Sequence, residues 1–200
     1  MRIAGLLLAA GRGRRAGGPK ALRVAADGRP WVVRSVATLR GGGCTDLHVV
    51  VGAASAEVRT ALTDEDVRVV EATDWAQGMG ASLRAGLAAL QDTDVEVACV
   101  HLVDLPDVGA DVVARVLTVA EGADTLARAA YVDGPGHPVL LGRSHWAAVA
   151  AAAVADRGAR DLLAVRPPRL VDCTDLAVGR DVDGPGLASA PSATTEVPGA

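Results

Sequence analysis

Continuous apolar runs and amphipathic runs follow one another in alternation along this chain. Arg2 to Ala10 is apolar after its first residue, the pattern of a strand buried on both faces. Pro30, suited to a first helical turn, opens a stretch in which Trp31, Val32, Val33, Val36 and Leu39 recur at helical spacing until Gly41, Gly42 and Gly43 stop it. Leu47 to Val51 reads as a second strand, Ser55 as the cap of a short helix carrying Val58 and Leu62, and Val67 to Val70 as a third strand. Met79 to Leu90 is helical, with Leu83, Leu87 and Leu90 on one stripe. Val95 to Val103 is a fourth strand, Val108 to Ala120 another helix, and Thr125 to Ala130 a further strand. His145 and Trp146 begin a helix of mostly Ala and Val, and Asp156 to Leu163 is a turn followed by a short helix. The alternation predicts an α/β fold with a mostly parallel sheet covered on both faces. Ligands of such sheets bind at the carboxyl ends of the strands, so the loops after Ala10, Val70 and Val103 are expected to face one cleft.

Composition narrows the picture. A chain of 200 residues, half of them hydrophobic, can bury one good core and is too short for two ordinary domains. The domain is expected over residues 1–187. From residue 188 onward the sequence loses periodicity and is rich in Ser, Thr, Pro and Ala, the composition of a disordered tail. A net charge of −4 argues against a nucleic-acid partner. There is no apolar run of membrane-spanning length and no secretory leader pattern, so a cytoplasmic protein without membrane contact is expected. Cys44, Cys99 and Cys173 are scattered and odd in number, which fits buried thiols better than disulfides or a C-x-x-C metal site.

The first strand runs into a loop made almost entirely of Gly and Arg, LLLAAGRGRRAGGPK from Leu6 to Lys20. Gly11, Gly13, Gly17 and Gly18 let the backbone come close to a ligand, and Arg12, Arg14, Arg15 and Lys20 surround it with positive charge. The loop is suited to a polyphosphate; the bland alternative is a solvated basic turn. It is neither a G-x-G-x-x-G fingerprint, since Gly17 comes one position late, nor a Walker A loop, since Pro19 separates Gly18 from Lys20 and Ala21 follows.

Three later segments carry candidate chemistry. In WAQGMGASLRAG, from Trp75, Gly78 and Gly80 break the chain before a helix that offers backbone N–H groups and Ser82 to a ligand, or is simply a glycine turn with a cap. In LVDLPDV, Asp104 sits at the end of a buried strand and is locked by Pro106. A carboxylate there is costly unless a cation compensates it, which makes Asp104 a candidate metal ligand; Asp107 is the nearer cap for the next helix. In the segment from Tyr131, YVDGPGHPVLLG, His137 is held between Gly136 and Pro138, either facing a ligand or hydrogen-bonded structurally. His48 and His101 lie within strand patterns and read as sheet residues.

Together these segments resemble the MobA-like nucleotidyltransferases. LAAGRGRRAGGPK is similar to the family's L-A-[AG]-G-x-[GS]-x-R-[MF]-G-x-x-K, with Arg15, Gly17 and Lys20 on fixed positions and Ala16 where Met or Phe is usual. WAQGMGASLRAG resembles W-x-x-G-M-x-x-S-L-R-x-G, most closely that of the molybdenum-cofactor cytidylyltransferase branch, and DRGARDLL from Asp156 resembles a segment that marks the same branch. LVDLPDV looks like the family's D-[MLQ]-P turn, and DVDGPGL from Asp181 like its closing D-[IV]-D-T-P-E-D-L, with Gly184 and Gly186 as departures.

The resemblance implies a single-domain Rossmann-like three-layer sandwich of the nucleotide-diphospho-sugar transferase type. It implies a nucleotide site formed by Leu8, Ala9, Ala10, Gly11, Gly13 and Lys20 with Gly78, Met79 and Ser82, and catalytic roles for Arg15, Lys20 and Asp104. It also implies Mg²⁺ on Asp104 and Asp183, and the acceptor near His137. The activity implied is transfer of CMP from CTP to a phosphorylated molybdopterin, with a molybdoenzyme or its maturation chaperone as a further partner. Ala10 is the form usual for the cytidylyl branch, where the guanylyl branch has Gly. Relatives described as NAD(P)H-dependent oxidoreductases, such as nicotine-blue oxidoreductase, define an alternative. The loop after the second strand, Gly52, Ala53 and Ala54, lacks the carboxylate usual for a nicotinamide ribose. A module that binds a cofactor without chemistry would not need Asp104 and Asp183.

Overall fold

The computed structural model describes residues 1–13 and 17–182. Its frame is a seven-stranded sheet in the order β3-β2-β1-β4-β6-β5-β7. The apolar run at the start becomes β1 (Ile3–Leu8), followed by α1 (Trp31–Gly41), β2 (Asp46–Val51), α2 (Ser55–Ala61) and β3 (Arg68–Glu71). The second half continues with α3 (Met79–Ala89), β4 (Val97–Leu102), α4 (Ala110–Leu117), β5 (Leu126–Tyr131), β6 (Gly134–Gly142), α5 (Arg143–Ala152), α6 (Arg160–Val165) and β7 (Arg169–Asp172). β1 pairs in parallel with both β2 and β4, placing it at the centre, where an uninterrupted apolar strand belongs. Only β6 runs against its neighbours, pairing antiparallel with β4 and β5.

The strand period of two divides the core into two sides. Leu7, Val49, Val97, Cys99 and Leu140 face α1 and α4, where Val32, Val36, Leu39, Val112 and Val116 cover them. Leu6, Leu8, Val50, Ala98, Val100 and Leu141 face the other way, toward Leu83 and Leu87 of α3, Trp146 of α5 and Leu162 of α6. The expected three-layer α/β sandwich is therefore what forms. All three cysteines are buried and free. No helix among the described residues is long and apolar enough to cross a membrane.

Several local expectations change. Ser55 is not a cap but the first residue of α2; Ala54 precedes it with a left-handed φ of 56°, and Ser55 Oγ accepts a hydrogen bond from Arg59 Nε at 3.4 Å. Asp107 does not cap α4, because Gly109 holds that position and Asp107 faces the segment after β7. The segment from Gly134 is a nine-residue strand, so His137 lies on β6. Arg84 donates to Ala153 O at 2.5 Å and to Asp74 Oδ2 at 3.0 Å, tying α3 to the residue after α5 and to the loop after β3. The tail from residue 188 lies outside the described residues.

Candidate functional site

The loop after β1 closes on itself. Ala9 N–H donates to Val50 O and Ala53 N–H to Ala10 O, extending the parallel pairing past Leu8, and Leu8, Ala9 and Ala10 are all buried. Gly11 is exposed and Gly13 follows at a φ of 63°, with Gly18 N–H donating to Gly13 O at 3.2 Å. A Cβ at Gly13 would lie 1.9 Å from Gly18 O, so this closure needs glycine. Arg14, Arg15 and Ala16, the candidate Arg15 among them, lie outside the described residues. Lys20 then opens a short 3-10 turn to Leu22.

Lys20 reaches across β1 to the loop after β4. Its Nζ donates to Asp104 Oδ2 at 2.9 Å, in a pair whose side chains are 14% and 20% exposed. Sequence reasoning left the Asp104 carboxylate in want of a cation and expected a metal; in the structure the lysine of the glycine loop supplies one. The pair also fixes the distance between the two loops that the strand-end rule expected to share a cleft.

A second contact ties the same loop to the approach to α3. The Arg12 guanidinium lies over the Trp75 ring at 5.1 Å from its centroid, and Trp75 also packs against Gly52, just after β2. Trp75 thus bridges the ends of β2 and β3 and the glycine loop. Sequence reasoning assigned it no role; the signal was an aromatic residue three positions before a glycine helix start. At that start, Met79 N–H donates to Asp156 Oδ1 at 3.2 Å, Gly78 backs onto Ala155 and Asp156, and Ser82 is buried. A carboxylate from the turn before α6 therefore occupies one N–H of this helix terminus.

His137 is set apart from these contacts, on β6. Tyr131 Oη donates to its backbone carbonyl at 2.6 Å, and Arg128 donates to the carbonyls of Gly136 and Pro135. Burial, with His101 and Arg128 nearby, pushes the His137 pKa down to about 3. On β4, His101 is 1% exposed, its Nδ1 has no hydrogen-bond partner, and burial lowers its pKa to about 4 from 6.5. Because the folded value lies below the unfolded one, His101 favours the folded state fully above pH 6.5, and that contribution is lost as pH falls from 6.5 toward about 4. Urea unfolding between pH 7.5 and pH 4.5 should therefore show a stability that falls with acid by up to about 1.4 kcal/mol per pH unit for such a group. His101→Gln should lessen that slope by the His101 share, while His137, depressed to about 3, keeps its own; an unchanged slope in the variant would assign the acid sensitivity to other groups.

The structure thus joins the glycine loop to Asp104 through Lys20, and to the segment that leads into α3 through Arg12 and Trp75. His137 is not joined to them by a direct contact. Among the described residues no group of three or more His, Cys, Asp or Glu side chains is placed to hold a metal. Asp183 lies outside the described residues, one residue after Val182, whose N–H donates to Asp104 O at 3.0 Å. Asp104, on the turn before Pro106 and beside the glycine loop, is a carboxylate that could give an oxygen ligand to a hard divalent cation.

The model of the MobA-like NTP transferase domain matches residues 5–172. Nicotine blue oxidoreductase of Paenarthrobacter nicotinovorans is 38% identical over 191 residues, covering 90% of this chain and 92% of that protein. Among solved structures, Rv0371c of Mycobacterium tuberculosis H37Rv superposes with a TM-score of 0.78 at 28% identity, over 92% of this chain and 94% of its own. The same protein in complex with manganese gives a TM-score of 0.68 at 27% identity, over 87% and 88% of the two chains. With the glycine loop, the Asp104 turn and the sheet that carries them all inside the matched span, the chain belongs to the MobA-like NTP transferase family.

Proposed function

We propose that this protein transfers a nucleotidyl group, CMP from CTP by preference, to a phosphorylated acceptor of the molybdopterin class. The observation that supports the reading is the 2.9 Å contact between Lys20 and Asp104, which brings a cation of the glycine loop and a carboxylate of the turn after β4 together. In the reaction an acceptor phosphate oxygen bonds to the α-phosphorus as the bond to the bridging oxygen breaks and pyrophosphate departs. Catalysis of this kind is positioning and charge neutralisation, with no side-chain nucleophile. Lys20 and Arg15 bind the phosphates, with the amides of the glycine loop around them. Gly78, Met79 and Ser82 bound the base and ribose, and His137 faces the acceptor. Mg²⁺ on Asp104 and Asp183 supplies further charge neutralisation when bound. A molybdoenzyme or its maturation chaperone would receive the product.

The choice of base is assigned to Ala10. Ala10 is buried at the end of β1, and on this reading its methyl group takes space that a purine would fill. Ala10→Gly is expected to relax the preference toward GTP without improving CTP use, by about 1–3 kcal/mol, the range for a methyl-sized difference in shape. Competition between the two nucleotides in wild type and variant reads this directly. Preference for GTP in the wild type would remove the assignment.

A second reading is favoured by one observation, the 38% identity to a protein named as an oxidoreductase. On this reading the same cleft holds NAD(P)H. Calorimetric titration separates the two: CTP with Mg²⁺ should bind far more tightly than NADPH, and Lys20→Met should weaken CTP. Tight NADPH binding with no measurable CTP binding would replace the transferase by the oxidoreductase.

A further inference from the structure

The segment that follows β7 crosses the loop after β4 and is bonded to both ends of a single turn. Asp107 Oδ2 accepts two backbone N–H groups, from Val178 at 2.9 Å and from Gly179 at 2.8 Å. Val182 N–H then donates to the carbonyl of Asp104 at 3.0 Å. The turn Asp104-Leu105-Pro106-Asp107 is therefore held at its first and last residues by one strap. The strap is anchored in turn. Cys173 N–H donates to Ala130 O at 2.9 Å, Arg115 pairs with the Asp175 carboxylate, and Leu176 and Ala177 pack on the core. At Gly179 the backbone takes a φ of 70° and lies against the Tyr131 ring, where a Cβ would come within 2.2 Å.

We propose that Asp107 is a positioning residue for metal binding: by clamping the strap across the turn, it holds the Asp104 carboxylate in the orientation that takes a divalent cation. The inference rests on Asp104 being a metal ligand, as proposed above. Lys20 holds one oxygen of the Asp104 carboxylate, but without the clamp the turn that carries it could still shift, and a cation would have to restrict that motion on binding; partners outside the ligand set commonly set affinity in this way. Asp107 is suited to the task because an ionised carboxylate can accept both amides at once on one oxygen, which no uncharged cap at this position does as strongly. The same clamp fixes the point from which the chain continues to Asp183, beyond the described residues.

The test uses Mn²⁺ alone, titrated into the full chain without nucleotide and followed by the electron paramagnetic resonance of the free ion. Asp107→Ala should weaken Mn²⁺ by about tenfold or more, in the range found when such supporting partners are lost. Asp107→Asn, which keeps an oxygen for the two amides, should stay within about threefold of wild type. Gly179→Val should give the Asp107→Ala loss with Asp107 intact, because its side chain would push the strap off the Tyr131 ring. It carries the comparison if Asp107→Ala folds poorly. Wild-type affinity in both Asp107→Ala and Gly179→Val would overturn the clamp. A wild-type protein that binds no Mn²⁺, or an Asp104→Asn variant that binds it unchanged, would instead overturn the metal reading of Asp104.

Discussion

Asp104→Asn is expected to lower turnover by on the order of a thousandfold or more while leaving the protein folded, since it removes the charge of the carboxylate proposed to hold the metal. The fold should tolerate the change because Asn can still accept a hydrogen bond from Lys20. What is lost is the charge of a pair whose members are 14% and 20% exposed, between the regime of surface pairs and that of buried ones. A cost of about 1 kcal/mol is the expected scale. Without the Lys20 contact, removing the carboxylate would have been expected to leave stability unchanged or higher; the contact reverses that sign. Steady-state rates and thermal melts on the same preparation decide the matter. A melting temperature many degrees lower, with metal-stimulated activity intact, would make Asp104 a structural partner of Lys20 and nothing more.

Lys20→Met should weaken triphosphate binding by roughly 1.5–3 kcal/mol, the worth of a charge-assisted hydrogen bond to a phosphate, with free cytidine hardly affected. The structure adds that Lys20 must leave or share its contact with Asp104 when a triphosphate arrives, so the measured loss is net of breaking that 2.9 Å pair. Arg15→Ala should act in the same direction. Equal losses for cytidine and CTP would show that the loop reads the base, and the phosphate assignment would fall.

The parallel half of the fold was legible because its strands are unbroken apolar runs. IAGLLLAA and LHVVV could hardly be buried any other way, and Gly41 to Gly43 mark the end of α1 without ambiguity. β6 was not legible as a strand because Gly134, Pro135, Gly136 and Pro138 interrupt the period of two, and its pairing with β4 and β5 overrides them. β7 is short and mostly exposed, so it leaves almost no apolar signal. In the site, the clustering of the loops after β1, β3 and β4 followed from strand alternation alone. The contacts within it did not. That Lys20 meets Asp104, that Arg12 lies on Trp75 and that Asp107 grips the strap rather than α4 are matters of side-chain reach across strands far apart in sequence, which spacing cannot encode.

The central claim is nucleotidyl transfer at a cleft built on Lys20 and Asp104, and pyrophosphate release tests it most directly. The four nucleoside triphosphates would each be offered with Mg²⁺ and a phosphorylated pterin acceptor, to wild type and to Asp104→Asn, with NADPH-dependent dye reduction followed in parallel. Pyrophosphate release should depend on both acceptor and metal, be greatest with CTP and be absent in Asp104→Asn. Dye reduction by NADPH in a protein that releases no pyrophosphate from any of the four would contradict the claim.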